Sequence, residues 1–500
     1  MNDVILNWNA VALEANRISH TDGSKEQNGP TLSSRALAIV HLAMYDAYAG
    51  AAAIPAALPP YLAGLPAVPA GATRLAAAAG AAYETLVNLF PSQRDAFDQA
   101  LIAIGDVDNI GHNYGRQVGQ AILLDRKDDP SASAGTYRPK MLRGKHRVDP
   151  DNPGQGFHGP SYGAKSKGFA ITARHALAAP PLDNPDYKTA LDQVFAKGIA
   201  PELMGTLPAA LASSRRTPEE TLIGIYWGYD GTSGLGTPPR FYNQILRKIA
   251  IGKGNTEEQN ARLFAFANVA MGDAGILAWD QKYIHEFWRP VVGIREHDKS
   301  IGPEATETHS HLVIDCDPFW LPLGAPMSSG LGAGNRPSQA TFPFPQSTAG
   351  TVKNVTPPFP AYPSGHATFG AAIFHITRLF YGVPAGNHAP DNVLLDSNNQ
   401  LLDFVSDELN GVTQDNKGTV RPRHRREFAN GLWQMILENG LSRIFLGVHW
   451  SFDAFGVKAD GTPDVTVNLG GVPLGLKIAE DIFSAGSGKA PKKSTVPPRP

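Results

Sequence analysis

The sequence predicts an all-α protein: two packed helical bundles with long irregular loops. Three observations carry this. Apolar residues recur at three- and four-residue spacing through most of the chain. Alternating strand patterns are scarce, and Val465–Leu469 is the best short one. Stretches rich in Gly, Pro and polar residues separate the periodic segments.

The elements follow in order. Val4–Ser19 places Val4, Ile5, Trp8, Val11, Ala12 and Ala15 on one face. Ser33–Ala49 repeats the pattern, with Ser33 or Ser34 as a cap. Further helices fit Thr73–Leu89, Pro91–Ile104, His112–Leu124, Pro185–Ala196, Pro218–Tyr229, Arg240–Ile251, Glu257–Tyr283, His366–Tyr381 and Arg423–Leu446. Asp128–Ala170, Glu296–Tyr362 and Pro384–Val420 read as loops, and loops longer than about 15 residues are usually functional or disordered. Residues 1–215 are expected as an N-terminal bundle and 216–486 as a C-terminal bundle carrying the site. Residues 487–500, rich in Lys and Pro, are expected as a disordered tail.

The 500 residues exceed what one small core organises. Hydrophobic content of 42% excludes a disordered chain. A net charge of −2 argues against a nucleic-acid coat, which needs a basic excess. Cys316 is the one cysteine, so no intrachain disulfide and no cysteine-rich metal site can form. The N-terminus lacks a basic segment followed by an unbroken apolar one. Prolines at 55, 59, 60, 66 and 69 interrupt the most apolar stretch. A soluble chain is expected, cytoplasmic or exported by a non-classical route, with no membrane partner.

Chemistry concentrates in three segments. In Lys282-Tyr-Ile-His-Glu-Phe-Trp-Arg289-Pro290 two cations seven apart return to one helix face, and the helix stops at or before Pro290. In Pro363-Ser364-Gly365-His366 the serine is a natural N-cap, and the helix start it defines is an anion site. Gly365 lets its backbone N–H approach an oxyanion, and His366 can move protons near neutral pH. In Ser442-Arg443-Ile-Phe-Leu-Gly447-Val-His449 the arginine and histidine face one ligand only if the chain turns at Gly447. Each segment alone also reads as an ordinary basic stripe, capped helix or core histidine. Together they supply three cations, neutral donors and two imidazoles, a cradle for a tetrahedral or trigonal-bipyramidal oxyanion. His309-Ser310-His311 with Asp315, Cys316 and Asp317 sits in a long loop and is read as loop.

The ordered triple resembles the signature shared by vanadium-dependent haloperoxidases and the phosphatidic-acid-phosphatase type 2 superfamily. Tyr229-Asp230-Gly231, the run from Gly236 to Gln244, Asp317-Pro-Phe-Trp-Leu321 and the run from Pro357 to His366 are similar to the fungal-type chloroperoxidases. The resemblance is densest over about 220–460. It departs in the spacer 291–362, where Ser338–Thr356 looks like an inserted loop that bears on the site entrance.

The resemblance implies a vanadate cofactor bonded by His449 and held by Lys282, Arg289, Ser364, Gly365 and Arg443. It implies His366 as the acid–base residue, Lys282 as the group that polarises a peroxide-derived oxygen, and Asp230 as the carboxylate that orients the arginines. Trp279 and Phe359 stand where chloroperoxidases flank the halide. The implied reaction oxidises halide with hydrogen peroxide to hypohalous acid, which passes halogen to small organic acceptors. Bromide and iodide are expected as substrates, with chloride open. The alternative is an acid phosphatase of the same superfamily working through a phosphohistidine.

Overall fold

The structure is a computed structural model, and it describes residues 3–52, 58–105, 109–131, 133–231, 234–326, 354–415 and 419–500. Among them the chain forms helices α1 (Val4–Ser19), α2 (Gly29–Gly50), α3 (Arg74–Leu89), α4 (Arg94–Ile104), α5 (Asn109–Asp125), α6 (Tyr162–Lys165) and α7 (Pro185–Gly198). The second half continues with α8 (Pro218–Tyr226), α9 (Pro238–Gly252), α10 (Glu257–His285) and α11 (Pro290–Arg295). Then come α12 (Gly365–Phe380), α13 (Gly431–Phe445), α14 (Ser451–Ala454) and α15 (Gly471–Ala485). Two antiparallel two-residue pairs complete it: β1 (Asp403–Phe404) with β2 (Arg426–Glu427), and β3 (Gly456–Val457) with β4 (Pro463–Asp464).

Local chemistry sets the helix starts. Asp3 accepts the Leu6 amide at 2.9 Å, satisfying one of the free donors of α1. Thr217 with Glu220 and Thr256 with Gln259 form reciprocal capping boxes on α8 and α10. Helix α10 is the axis of the molecule. It packs on α2 on one side and α12 on the other, and α12 in turn packs on α13 and α15. One contiguous apolar core therefore crosses both halves of the chain. Each large apolar side chain sealed in it, such as Phe264 or Leu277, contributes about 1.5–3 kcal/mol. Among the described residues α10 is the helix long and apolar enough to cross a membrane, and it is the buried centre of this core.

Several expectations are corrected. α2 begins at Gly29, four residues before Ser33, because Asn28 precedes a Gly29-Pro30 start that suits a first turn. α13 begins at Gly431 and not at Arg423, since Arg426 pairs in β2 and turns its guanidinium to Glu438. Val465–Leu469 is not a strand; the pairing falls just before it, at 463–464. Helix α15, which carries Gly471, Pro473 and Gly475 in its first turns, is not among the helices expected from the sequence. Those glycines admit α12: a Cβ at Gly471 or Gly475 would lie 2.5 Å from the carbonyl of Ser364 or Thr368. The segment 487–500, expected as a disordered tail, is hydrogen-bonded along its length. Ser494 donates its amide to Phe169 and its hydroxyl to Ile171, while Arg499 reaches Asp280. Most of the expected insertion Ser338–Thr356 lies outside the described residues.

Candidate active site

Lys282 occupies the last turn of α10, fully buried. Its ammonium donates to three carbonyls of the following motif: Pro360 at 2.8 Å, Ala361 at 3.0 Å and Pro363 at 2.5 Å. Burial first, then the Arg289 charge, holds its pKa well below the ordinary lysine value. Arg289 does not share a helix face with Lys282. Helix α10 ends at His285, Glu286 turns left-handed at φ 54°, and Arg289 becomes the N-cap of α11. The two cations converge because the chain reverses. Arg289 donates Nε to Phe359 and Nη1 to Val448.

Helix α12 starts inside the site. Ser364 caps it, accepting the Ala367 amide, while its own amide donates to Asp453 at 2.8 Å. Gly365 follows at the cavity surface. A Cβ there would press within 3.3 Å of the Trp279 ring. His366 Nε2 lies 2.7 Å from the Gly228 carbonyl, which accepts only from an N–H, so Nδ1 carries the lone pair. Burial first, then the Arg443 charge, pushes His366 down to about 3. An anion bound beside it would raise that value.

Arg443 lies in the last turn of α13 and meets Asp230 through two parallel hydrogen bonds, 3.0 and 2.6 Å. The chain then turns at Gly447, whose φ is +73°, and a Cβ there would lie 2.5 Å from the Gly198 carbonyl. That turn aims His449 back at Arg443, as the spacing required. His449 Nδ1 lies 2.7 Å from Asp453 Oδ2, and Nε2 lies 3.0 Å from Arg289 Nη1. The carboxylate accepts a hydrogen bond from Nδ1–H, which leaves Nε2 as the lone-pair nitrogen. Burial first, then Arg289 and Lys282, keeps His449 well below the ordinary histidine value, so the ring is neutral. Burial pushes Asp453 up to about 7, with Lys282 opposing.

The donor set fits vanadate. Lys282, Arg289 and Arg443 are buried together, facing two carboxylates, Asp230 and Asp453. Arg289 Nη2 and Arg443 Nε are buried and have no partner among the described residues. Unpaired buried donors are costly unless a ligand takes them. An oxyanion with several oxygens satisfies both guanidinium groups and the charge surplus, and a neutral imidazole nitrogen suits a metal bond.

A cavity of about 300 Å³ opens onto this set. Asp230, Gly365, His366, Arg443 and His449 line it, while Lys282, Arg289 and Ser364 sit behind the lining. Its other wall is aromatic. Trp279 and Phe359 pack at 4.8 Å between centroids, and Lys282 and Arg289 each lie 5.0 Å from the Phe359 ring centre. Sequence reasoning missed Asp453 and His158. Asp453 had a readable signal, a carboxylate four residues after His449. His158 had none, because its partners are distant in the chain. The His309 loop closes on itself: Asp298 accepts from His309, Ser300 and Val313. Among the described residues no group of three His, Cys, Asp or Glu side chains converges on a metal position.

An all-α scaffold with a buried cationic cradle and a carboxylate-oriented histidine defines an oxyanion-binding protein. Residues 1–156 match the profile of the vanadium chloroperoxidase N-terminal domain, and 262–462 that of the VCPO second helical-bundle domain. The vanadium chloroperoxidase of Curvularia inaequalis is 33% identical over 99% of this chain and 92% of its own. A bacterial vanadium-dependent iodoperoxidase shares the fold at TM-score 0.63 and 17% identity, covering 98% of this chain and 97% of its own. A holo-type bacterial vanadium-dependent chloroperoxidase does so at 0.60 and 14%, covering 95% and 96%. The chain belongs to the vanadium chloroperoxidase family of vanadium haloperoxidases, and its cofactor is vanadate.

Proposed function

We propose that this chain uses hydrogen peroxide to oxidise bromide and iodide to the hypohalous acids, that it accepts chloride at acidic pH, and that small organic molecules take up the halogen. The observation that carries this reading is the aromatic wall. Trp279 and Phe359 face the same cavity as Arg443, His449 and His366, so an apolar face for a halide stands beside an oxyanion cradle. Vanadate, when bound, supplies Lewis-acid activation of peroxide without changing oxidation state.

The protein's own residues do the rest. His449 Nε2, oriented by Asp453, would ligate the metal. Arg289 Nη2 and Arg443 Nε, buried without partners among the described residues, and the Gly365 amide at the cavity surface would hold the oxyanion. Asp230 fixes the Arg443 fork. His366 Nδ1 takes and returns the proton as peroxide enters and product leaves. Lys282 acts from behind, holding the 360–363 carbonyls while its charge adds to the cradle's field. We assign the chain two bundles, divided near 215, with the site in the second.

Metal analysis paired with a bromide-oxidation assay tests the reading. Chelator-treated protein should lose activity and regain it with orthovanadate, while phosphate competes. Full activity in vanadium-free protein overturns it. The phosphatase alternative draws on the same donors, since a neutral Nε2 among cationic groups also suits attack on phosphate.

A further inference from the structure

His158 belongs to none of the three motifs, yet its main chain and side chain build the wall of the cavity facing the cradle. Its amide donates to Pro358 at 2.9 Å. Its carbonyl accepts Trp279 Nε1 at 3.2 Å and the Tyr283 hydroxyl at 2.7 Å. One residue from the first half of the chain therefore sets the Trp279 ring and the loop that carries Phe359. The imidazole lines the cavity with both rings, its centroid 6.0 Å from Trp279 and 6.2 Å from Phe359. Gly29 makes room for it: a Cβ there would lie 2.5 Å from His158 Cε1.

The tautomer follows from Thr31. Its hydroxyl is fully buried, and among the described residues its hydrogen-bond partner is His158 Nε2 at 3.1 Å. A buried hydroxyl donates when an acceptor is in reach, so Nε2 accepts and Nδ1 carries the hydrogen. Nδ1 has no partner among the described residues and belongs to a ring on the cavity surface. We propose that His158 contacts the halide, donating a hydrogen bond from Nδ1 across an otherwise apolar wall and thereby setting halide affinity. The proposal rests on the haloperoxidase reading. Burial, then the neighbouring His20, pushes His158 down to about 4, so the ring offers a neutral donor rather than a charge at ordinary pH. A neutral donor holds a halide without the tight ion pair that would hinder its reaction.

The test uses the full chain and the variants His158→Phe and His158→Gln. In the vanadate-loaded enzyme, His158→Phe should raise the KM for bromide roughly tenfold, the worth of one hydrogen bond to an ion. The kcat at saturating bromide, the KM for peroxide and the vanadate affinity should stay within about twofold. His158→Gln, which keeps an N–H donor, should recover most of the bromide affinity. Independently of turnover, ³⁵Cl NMR line broadening of chloride by vanadate-free parent protein should be reversed by bromide and absent in His158→Phe. An unchanged bromide KM in a His158→Phe protein that binds vanadate like the parent, a His158→Gln protein that binds bromide no better than His158→Phe, or unchanged broadening in His158→Phe, overturns the proposal. A parent that binds vanadate but oxidises no halide overturns the haloperoxidase reading instead, and chloride broadening then still decides whether His158 binds the ion.

Discussion

His449 Nδ1 stands 2.7 Å from Asp453 Oδ2, and this contact decides which imidazole nitrogen the cradle receives. The same carboxylate oxygen accepts the Trp450 amide at 3.0 Å, so Asp453 holds both the ring and the backbone that carries it. Removing the imidazole by His449→Ala should abolish vanadate binding. Asp453→Asn should weaken it about 10- to 100-fold, the usual cost of losing a partner that orients a ligand. Equilibrium dialysis measures both, and an Asp453→Asn protein that binds like the parent would show that the ring needs no carboxylate.

How much of this was readable depended on the range of the interaction. Lys282, Arg289, Ser364, Gly365, His366, Arg443 and His449 were legible because each sits in a short motif whose spacing constrains it. The turn at Gly447 was legible for the same reason: six residues of helix would have pointed Arg443 and His449 apart. The course of the chain around Arg289 was not, because Glu286 turns left-handed and nothing local marks a glutamate for that. Helix α15 hid behind Gly471 and Gly475, which serve contact with α12 rather than a turn. His158 was invisible because Thr31, Trp279 and Pro358 lie far from it in the chain.

Lys282 serves the fold, whatever it adds to the chemistry proposed for it. Its three donors are spent on Pro360, Ala361 and Pro363. Lys282→Met should strip those buried carbonyls of a shared donor and destabilise the protein by about 3 kcal/mol or more. Denaturant unfolding reads this directly. A variant with parental stability but no activity would restrict Lys282 to acting on the bound oxyanion.

His41 gives a pH dependence with a definite sign. Its Nδ1 donates to Leu37 at 2.7 Å, and its Nε2 accepts from Asn9 at 2.9 Å. A proton on Nε2 would face the Asn9 amide, and burial pushes the group down from 6.5 to about 4. Between those values the unfolded chain binds this proton and the folded chain does not. The contribution is therefore complete above about pH 6.5 and lost as pH falls toward 4, up to about 3 kcal/mol. Melting temperatures at pH 7.5 and 4.5 should differ less in His41→Gln than in the parent. Equal differences would remove His41 as a source.

His366 and His449 should separate kinetically. His366→Ala should keep vanadate binding and slow turnover about 10²- to 10⁴-fold, as for a lost general acid–base. In vanadate-free parent protein, slow hydrolysis of an activated phosphate monoester should depend on His449 Nε2 and be inhibited by vanadate. No rate above buffer would count against a cradle shared with phosphate. A rate far above halide oxidation would favour the phosphatase reading.

We expect halide choice to follow from the wall. Trp279 and Phe359 put apolar rings beside the cradle, and Lys282 and Arg289 lie 5.0 Å from the Phe359 ring centre. Excluding water strengthens the attraction between a small anion and those cations, since charges interact more strongly at low dielectric. Chloride is harder to oxidise than bromide and depends more on that activation. Ala325 and Val355 also line the cavity, and the Ala325 amide donates to the Val355 carbonyl at 2.8 Å. The parent should oxidise bromide and iodide readily and chloride at acidic pH. Trp279→Arg and Phe359→His should lose chloride turnover by about tenfold more than bromide turnover, because each puts a hydrated polar group into the wall. Steady-state rates in both halides decide it. A parent inactive on chloride at acidic pH removes the chloride assignment and leaves the vanadium chemistry standing, whereas variants that oxidise chloride as well as the parent show that the apolar wall is not its cause.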